Sequence, residues 1–497
     1  MKNFGTRYPT VFEINTWVWL AELGRAGGRA VTLGAVPQDE IERIAGYGFD
    51  AVWLMGVWER SHAARAVSRS HAGWLDEYRR LLPDLEERDI VGSPYAIRAY
   101  RVEPSFGGDE ELRALRRRFA DAGMRLILDF IPNHMALDHP WFATHPERLL
   151  QGGEEQIARQ PQNYFRAAGD GAGRAFAHGR DPYFDGWPDT VQLDYRRRDT
   201  REAMTAELLS VAERCDGARC DMAMLLTHDV FLRTWGGEFD EPGVEFWPAA
   251  VAGIKSRHPE FVLLAEVYWD MEYELQRQGF DYTYDKRLYD RLRDADAQAV
   301  NAHLRAEMGF QERLVRFVEN HDEPRAAEAF PAPSGFAASA VTLALPGLRL
   351  LHEGQLEGRR HKLSVHLGRR PDEETDSRLA GHYRRLLAAL RHEVFHEGRW
   401  RLLEAREAGQ GDASFHNFVA SLWESGEELR LVVANLSPDG ARCRLPLGVD
   451  ALAGREWFLT DLLGEARYLR AGDDLLRPGL YLDVPGHGCH LFEITPG

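Results

Sequence analysis

Four short stretches of the chain carry side chains able to do acid–base and nucleophilic chemistry, and each follows an apolar run. They are Asp129, Asn133 and His134; Arg219 and Asp221; Glu266; and Asn320, His321 and Asp322. If those runs are strands of a parallel sheet closed into a barrel, the residues at their C-terminal ends face one site. Three carboxylates, Asp221, Glu266 and Asp322, then converge. Such a set suits cleavage of a glycosidic bond: one carboxylate attacks the anomeric carbon, a carboxylic acid protonates the leaving oxygen, and nearby negative charge favours an oxocarbenium-like transition state. Arg219 lies two residues before Asp221, on the same strand face, where its guanidinium can hold that carboxylate ionised and oriented. Each residue alone also fits a plainer role as helix cap, structural ion pair or core histidine. Four independent structural residues would not need these types in this order.

Those residues make the chain resemble glycoside hydrolase family 13, the α-amylase family, from about residue 11 into the C-terminal region. D-x-x-x-N-H spans 129 to 134, G-x-R-x-D spans 217 to 221, the glutamate is Glu266, and N-H-D spans 320 to 322. Tyr95 and Tyr100, followed by Glu103-Pro104-Ser105-Phe106-Gly107, and Pro346-Gly347 ahead of Glu353-Gly354-Gln355, extend the match. The resemblance implies a retaining glycosidase or transglycosylase acting on an α-glucoside or α-glucan oligosaccharide, with no organic cofactor. It makes Asp221 the nucleophile, Glu266 the general acid/base and Asp322 the transition-state stabiliser. His134 and His321 would hydrogen-bond hydroxyls of the donor sugar, Tyr95 would stack on its ring, Asp129 would brace Arg219, and Asn133 would support the site. Calcium-binding members use that asparagine with oxygen ligands from an inserted segment. Asp170, Asp181 and Asp185 offer no dense cluster there, so calcium is not expected and no metal ligand is assigned. Tyr268 and Trp269, directly after Glu266, are candidates for a platform under the leaving-group sugar.

Departures from the family pattern bear on specificity. The chain reads Pro94-Tyr95-Ala96 where the family often has Gly-Tyr-Asp, and that aspartate works with the arginine of N-H-D-x-P-R, here Arg325, to grip a non-reducing end. With half the clamp missing, poor hydrolysis of short α-glucosides is expected. Met224 and Leu225 stand where amylases often carry Lys-His, which removes a donor to the acceptor sugar. The stretch from Glu357 to Lys362, with Arg369 and Arg370 beyond it, reads as a solvated loop or as an anion site on the acceptor side. Phosphorolysis through Arg359 and Arg360 is therefore one alternative, and a catalytically silent carbohydrate-binding barrel is another.

The elements that must position these residues are legible as alternating strand and helix patterns. Strands are predicted over Val11 to Trp17, Ala51 to Leu54, Leu126 to Phe130, Gly217 to Asp221, Phe261 to Val267, Leu314 to Val318 and Leu348 to Leu351. Helices are predicted after Pro37, with Ile41 and Ile44 inward, and around Leu112, Leu115 and Phe119, ended by Gly123. Repeated alternation predicts an α/β fold, a closed (β/α)8 TIM barrel over 1–134 and 196–395. Residues 135–195, rich in Gly, Pro and Asp, read as a loop grown into a small inserted domain over the barrel mouth. Period-two patterns at Leu429, Leu431, Val433 and at Leu480, Leu482, Val484 predict a C-terminal antiparallel β-sandwich over 396–497.

Composition excludes several classes. The chain has 497 residues, 44% hydrophobic and 28% charged, the mix of a folded protein. A net charge of −17 without a basic stretch leaves no electrostatic footprint for nucleic acid or an anionic membrane. Four cysteines without a C-x-x-C pair predict free thiols in a reducing compartment. The first residues lack the apolar core of a signal peptide, so a cytoplasmic location is expected. Trp17, Trp19, Trp53 and Trp58 are assigned to the core, and the oligomeric state stays open.

Overall fold

The computed structural model describes residues 4–167 and 174–497. Eight parallel strands close a barrel in chain order. They are β1 (Thr10–Asn15), β2 (Ala51–Met55), β3 (Arg125–Phe130), β4 (Gly217–Cys220), β5 (Val262–Ala265), β6 (Tyr282–Tyr284), β7 (Leu314–Arg316) and β8 (Leu348–His352). Helices cover the outside and side chains fill the inside, so these strands are buried on both faces and read as continuous apolar runs. The short β6, Tyr-Thr-Tyr between Asp281 and Asp285, is too brief to show a period and is absent from the predicted strands.

Strand ends are set by local chemistry. β1 stops at Asn15, short of the predicted Trp17, because Asn15 caps the helix Thr16–Gly27: its side chain accepts a hydrogen bond from the Val18 backbone N–H. The helix Gly108–Asp121 buries Leu112, Leu115 and Phe119 along one stripe, and Gly123 at φ 82° turns the chain into β3. Register places Arg219 of β4 beside Asp129 of β3 and Leu264 of β5.

Between β3 and β4 the chain makes an excursion over the C-terminal ends of the strands. Its two ends are stapled by an antiparallel pair, His134–Ala136 with Thr190–Gln192. Within it Gln151–Gly152, Ala175–Ala177 and Tyr164–Arg166 form a small sheet. Asp170 lies outside the described residues.

After the helix Ser377–Leu390 the chain becomes antiparallel β structure. β9 (Arg399–Leu403), β10 (Phe418–Ser425), β11 (Glu428–Asn435), β13 (Glu456–Asp461), β14 (Arg467–Ala471) and β16 (Cys489–Pro496) form one sheet, and β12 (Ala441–Leu445) with β15 (Leu480–Val484) forms a second. Leu429, Leu431 and Val433 meet Leu480, Leu482 and Val484 in a shared core. The opposite face of the large sheet, Val419, Trp423, Val432 and Ala434, joins the barrel core. All four cysteines are free thiols. No helix among the described residues is long and apolar enough to cross a membrane.

Candidate active site

Arg219 is the centre of the site. It is 1% exposed and its guanidinium carbon lies 5.4 Å from the Trp53 ring, 5.3 Å from the Tyr95 ring and 5.8 Å from the Tyr284 ring. A cation in such a place needs compensation, which three carboxylates supply. Nη1 donates to Asp221 Oδ1 at 2.5 Å. Nη2 lies 2.9 Å from Glu266 Oε2, a contact of charge rather than an aligned hydrogen bond, and 3.6 Å from Asp322 Oδ2. Asp221, Glu266 and Asp322, from the ends of β4, β5 and β7, are thereby brought around one guanidinium.

The three carboxyls differ in environment. Burial pushes Glu266 up to about 7, with Arg219 opposing and Asp221 and Asp322 adding to the rise. Its Oε2 accepts the Met222 backbone N–H at 2.6 Å and its Oε1 accepts the Tyr268 hydroxyl at 2.9 Å. Met222 reaches that position through a left-handed backbone at φ 42°. Burial also raises Asp221, and the Arg219 charge and hydrogen bond pull it back. Asp322 is the most exposed of the three, with 40% of its side chain accessible. Burial would raise it, but the His321 imidazolium, 3.0 Å away, holds it well below the usual carboxylate range.

His321 owes its charge to a residue that the sequence motifs do not flag. Glu13, fully buried on β1, lies 2.5 Å from His321 Nδ1. Burial works against the imidazolium, yet Asp322 and Glu13 on either side push His321 up to about 10. Tyr95 stacks on His321 at 5.3 Å between ring centres, with its hydroxyl 2.7 Å from Nε2. His134 is the opposite case: burial lowers it to about 4 and keeps it neutral, with Nε2 3.1 Å from the Tyr95 carbonyl and Nδ1 3.3 Å from the Asn133 amide.

Three expectations need correction. Asp129 makes no ion pair with Arg219; it accepts from the Trp53 indole at 3.0 Å and the Gly56 N–H at 2.6 Å, and so braces the ring over which Arg219 lies. Arg325 does not border the cavity between the carboxylates. It is 2% exposed and donates to Glu319, His352 and the Glu353 carbonyl. Ala96 is fully buried and packs with Ala64 and Ala136, so neither half of the clamp reaches the cavity. Of the cations after β8, Arg369 pairs with Asp89 and Asp84 and Arg370 with Glu353 and Glu22, while Lys362 alone of these three reaches the site, its ammonium donating to the Asp322 carbonyl.

Asn133 does not fit a calcium site. Its Oδ1 accepts from Gln192 Nε2 at 3.0 Å, and Asp181 is turned to the Tyr183 and Phe184 N–H groups. Among the described residues no group of three His, Cys, Asp or Glu side chains could hold a metal ion.

The carboxylates open into a 250 Å³ cavity that Tyr95 and His134 also line. Its remaining walls, among them Trp74 from the helix Ala72–Leu81 and Trp187, Asp189 and His366 from loops, come from segments that carry no motif. Met222 also lines a second cavity of 370 Å³ bordered by Tyr268 and Trp269, with the exposed ring of Phe184 at its rim.

A family model described as the α-amylase catalytic domain matches residues 38–361. The chain is 23% identical over 374 residues to an α-amylase, MalA, of Haloarcula japonica, covering 73% of this chain and 45% of that protein. It is 26% identical over 250 residues to an α-1,4-glucan:maltose-1-phosphate maltosyltransferase of Arcanobacterium haemolyticum, covering 49% and 30%. The chain thus spans about half, or less, of the length of these curated relatives. Among solved structures, the maltogenic α-amylase AmyB of Thermotoga neapolitana superposes with a TM-score of 0.70 at 19% identity, covering 98% of this chain and 99% of that one, a likeness of fold.

Proposed function

The chain belongs to the α-amylase catalytic-domain family, and on that premise we propose that it is a retaining glycosidase or transglycosylase acting on α-glucosidic bonds. The observation that carries the proposal is the single Arg219 guanidinium held against both Asp221 and Glu266. Sharing one head group keeps the two carboxyls neighbours, in keeping with the spacing of about 5 to 5.5 Å that retention needs rather than the roughly 6.5 to 9.5 Å that admits a water for inversion.

In this mechanism the Asp221 oxygen attacks the anomeric carbon while Glu266, protonated because burial raises it, gives its proton to the leaving oxygen. Asp322, kept anionic by His321, faces the positive charge that develops on the ring. Glu266, now a carboxylate, takes a proton from the incoming water or sugar hydroxyl as that oxygen attacks the glycosyl ester and frees Asp221. The 370 Å³ cavity beside Tyr268 and Trp269 receives the leaving and incoming groups. Water gives hydrolysis and a sugar hydroxyl gives transfer. Phosphorolysis is not favoured, since neither Arg359 nor Arg360 lines either cavity and the Arg359 guanidinium lies 3.9 Å from Glu22.

The test is incubation with a panel of α-glucosides, with and without phosphate. Products are identified by mass spectrometry, and the anomeric configuration of the first product is read by NMR. An α product is expected, and Asp221→Asn and Glu266→Gln should each lower turnover by at least about 10² to 10⁴ without unfolding the protein. A β product, or near-normal turnover in either variant, sinks the proposal.

A further inference from the structure

The donor cavity has a wall that the proposed chemistry does not use. Asp189 is 4% exposed and lines the cavity, yet its Oδ2 has no hydrogen-bond partner in the protein. It sits in the turn Trp187-Pro188-Asp189-Thr190, closed by the Thr190 N–H and hydroxyl on the Trp187 carbonyl. Facing it is His366, whose Nε2 is 3.8 Å from Asp189 Oδ2, and whose ring stacks on Trp74 at 4.4 Å between centres and 25° between planes. His366 is fixed from behind: Nδ1 lies 3.3 Å from Ser364 Oγ, and its carbonyl accepts the Val91 N–H.

A buried carboxylate oxygen without a partner is costly unless a ligand completes it. The gap of 3.8 Å is too long for a direct hydrogen bond between the two groups. One hydroxyl oxygen, roughly 2.8 Å from each, fits between them, donating to Asp189 and facing the imidazole nitrogen. Charged carboxylates and flat aromatic faces together are what a sugar presents its hydroxyls and C–H faces to. The cavity holds 250 Å³, below the roughly 300 to 1,000 Å³ of pockets for drug-sized ligands, which is room for one ring rather than a chain. Asp189, His366 and Trp74 border this cavity and not the one beside Tyr268 and Trp269.

We propose that Asp189, with His366 and Trp74, is a hydroxyl-binding end wall that fixes specificity for the terminal, non-reducing glucosyl residue of an α-glucan. This rests on the α-glucosidic reading of the site and names which sugar that site takes. Ala96 and Arg325 cannot form the clamp expected from the family pattern, and the wall supplies a carboxylate from a different loop.

The test reads binding, so that it does not depend on turnover. Affinity is measured by calorimetry in Glu266→Gln for maltotriose and for maltotriose whose terminal 4- and 6-hydroxyls are joined as an ethylidene acetal. Maltotriose is expected to bind at least ten-fold more tightly than the capped sugar. Adding Asp189→Asn should weaken maltotriose roughly 10- to 100-fold and leave the capped sugar unchanged. Equal affinity for the two sugars, an equal loss on both, no loss on either, or no binding of maltotriose overturns the wall. Failure of the α-glucosidic reading is seen separately, as absence of turnover by the natural protein on every α-glucoside.

Discussion

Glu266 is a buried carboxyl beside a buried cation, and burial wins: its protonation midpoint rises from 4.5 to about 7. A general acid has to carry its proton into the reaction, so kcat/KM should fall as pH rises through about 7, while His321, raised to about 10, stays charged across that window. Stability changes with pH in the same direction. A carboxyl raised on folding adds stability that is fully present below 4.5 and is lost as pH rises through about 7. Tyr268 donates to the carboxylate and favours its ionised form, so Tyr268→Phe should carry the alkaline limb to higher pH. The measurement is kcat/KM from pH 5 to 9 for both proteins; activity that still climbs through pH 8 in the natural protein would contradict the assignment of Glu266 as acid.

At the level of elements, the ends of β1 and β7 act as a pair: Glu13 from one meets His321 from the other, and the imidazolium in turn holds Asp322 ionised. Glu13→Gln keeps the shape and removes a charge. His321 should then lose its proton nearer neutral pH, and kcat should fall roughly 10- to 100-fold with a new alkaline limb that a purely structural role would not produce. An unchanged pH profile would refute the role of Glu13. The contrast between Glu13 and its partner shows what could be read from sequence. Asp221, Glu266 and Asp322 were legible because their spacing repeats a known order after apolar strands, and the barrel was legible because strand and helix periods alternate. Glu13 stands alone in Phe-Glu-Ile-Asn, and nothing local distinguishes it from a strand-end cap. Trp74 comes from a helix and Asp189 and His366 from two loops, all far apart in sequence, where no periodicity reports which side chains will meet. Arg325 misled for a related reason: the motif gives its type, but its partner Glu319 is supplied by the same loop and turns it away from the cavity.

Across the whole molecule, the C-terminal sheet is a wall of the barrel rather than an appendage. β10 is buried at six successive positions because its alternate residues serve two cores, Phe418, Ala420 and Leu422 toward the second sheet, Val419 and Trp423 toward the barrel. Trp423 donates its indole N–H to the Ala344 carbonyl at 2.7 Å, next to β8, and Arg349 of β8 donates to the Tyr8 and Phe395 carbonyls, tying the first strand to the chain just ahead of the sheet. The helix Ser334–Leu343, buried at eight of its positions, has its outer side against that sheet. Removing residues 396–497 would therefore expose a barrel helix with no polar face to offer water, and Trp423→Ala alone should lower the stability by about 3 to 5 kcal/mol. Guanidinium unfolding followed by tryptophan fluorescence, together with the turnover assay, tests the coupling. Trp423→Ala is expected to lower the midpoint of a single transition, and the chain cut at residue 395 is expected to aggregate and lose activity. A monomeric 1–395 fragment with native kcat/KM would show instead that the barrel stands alone and that the sheet only packs beside it.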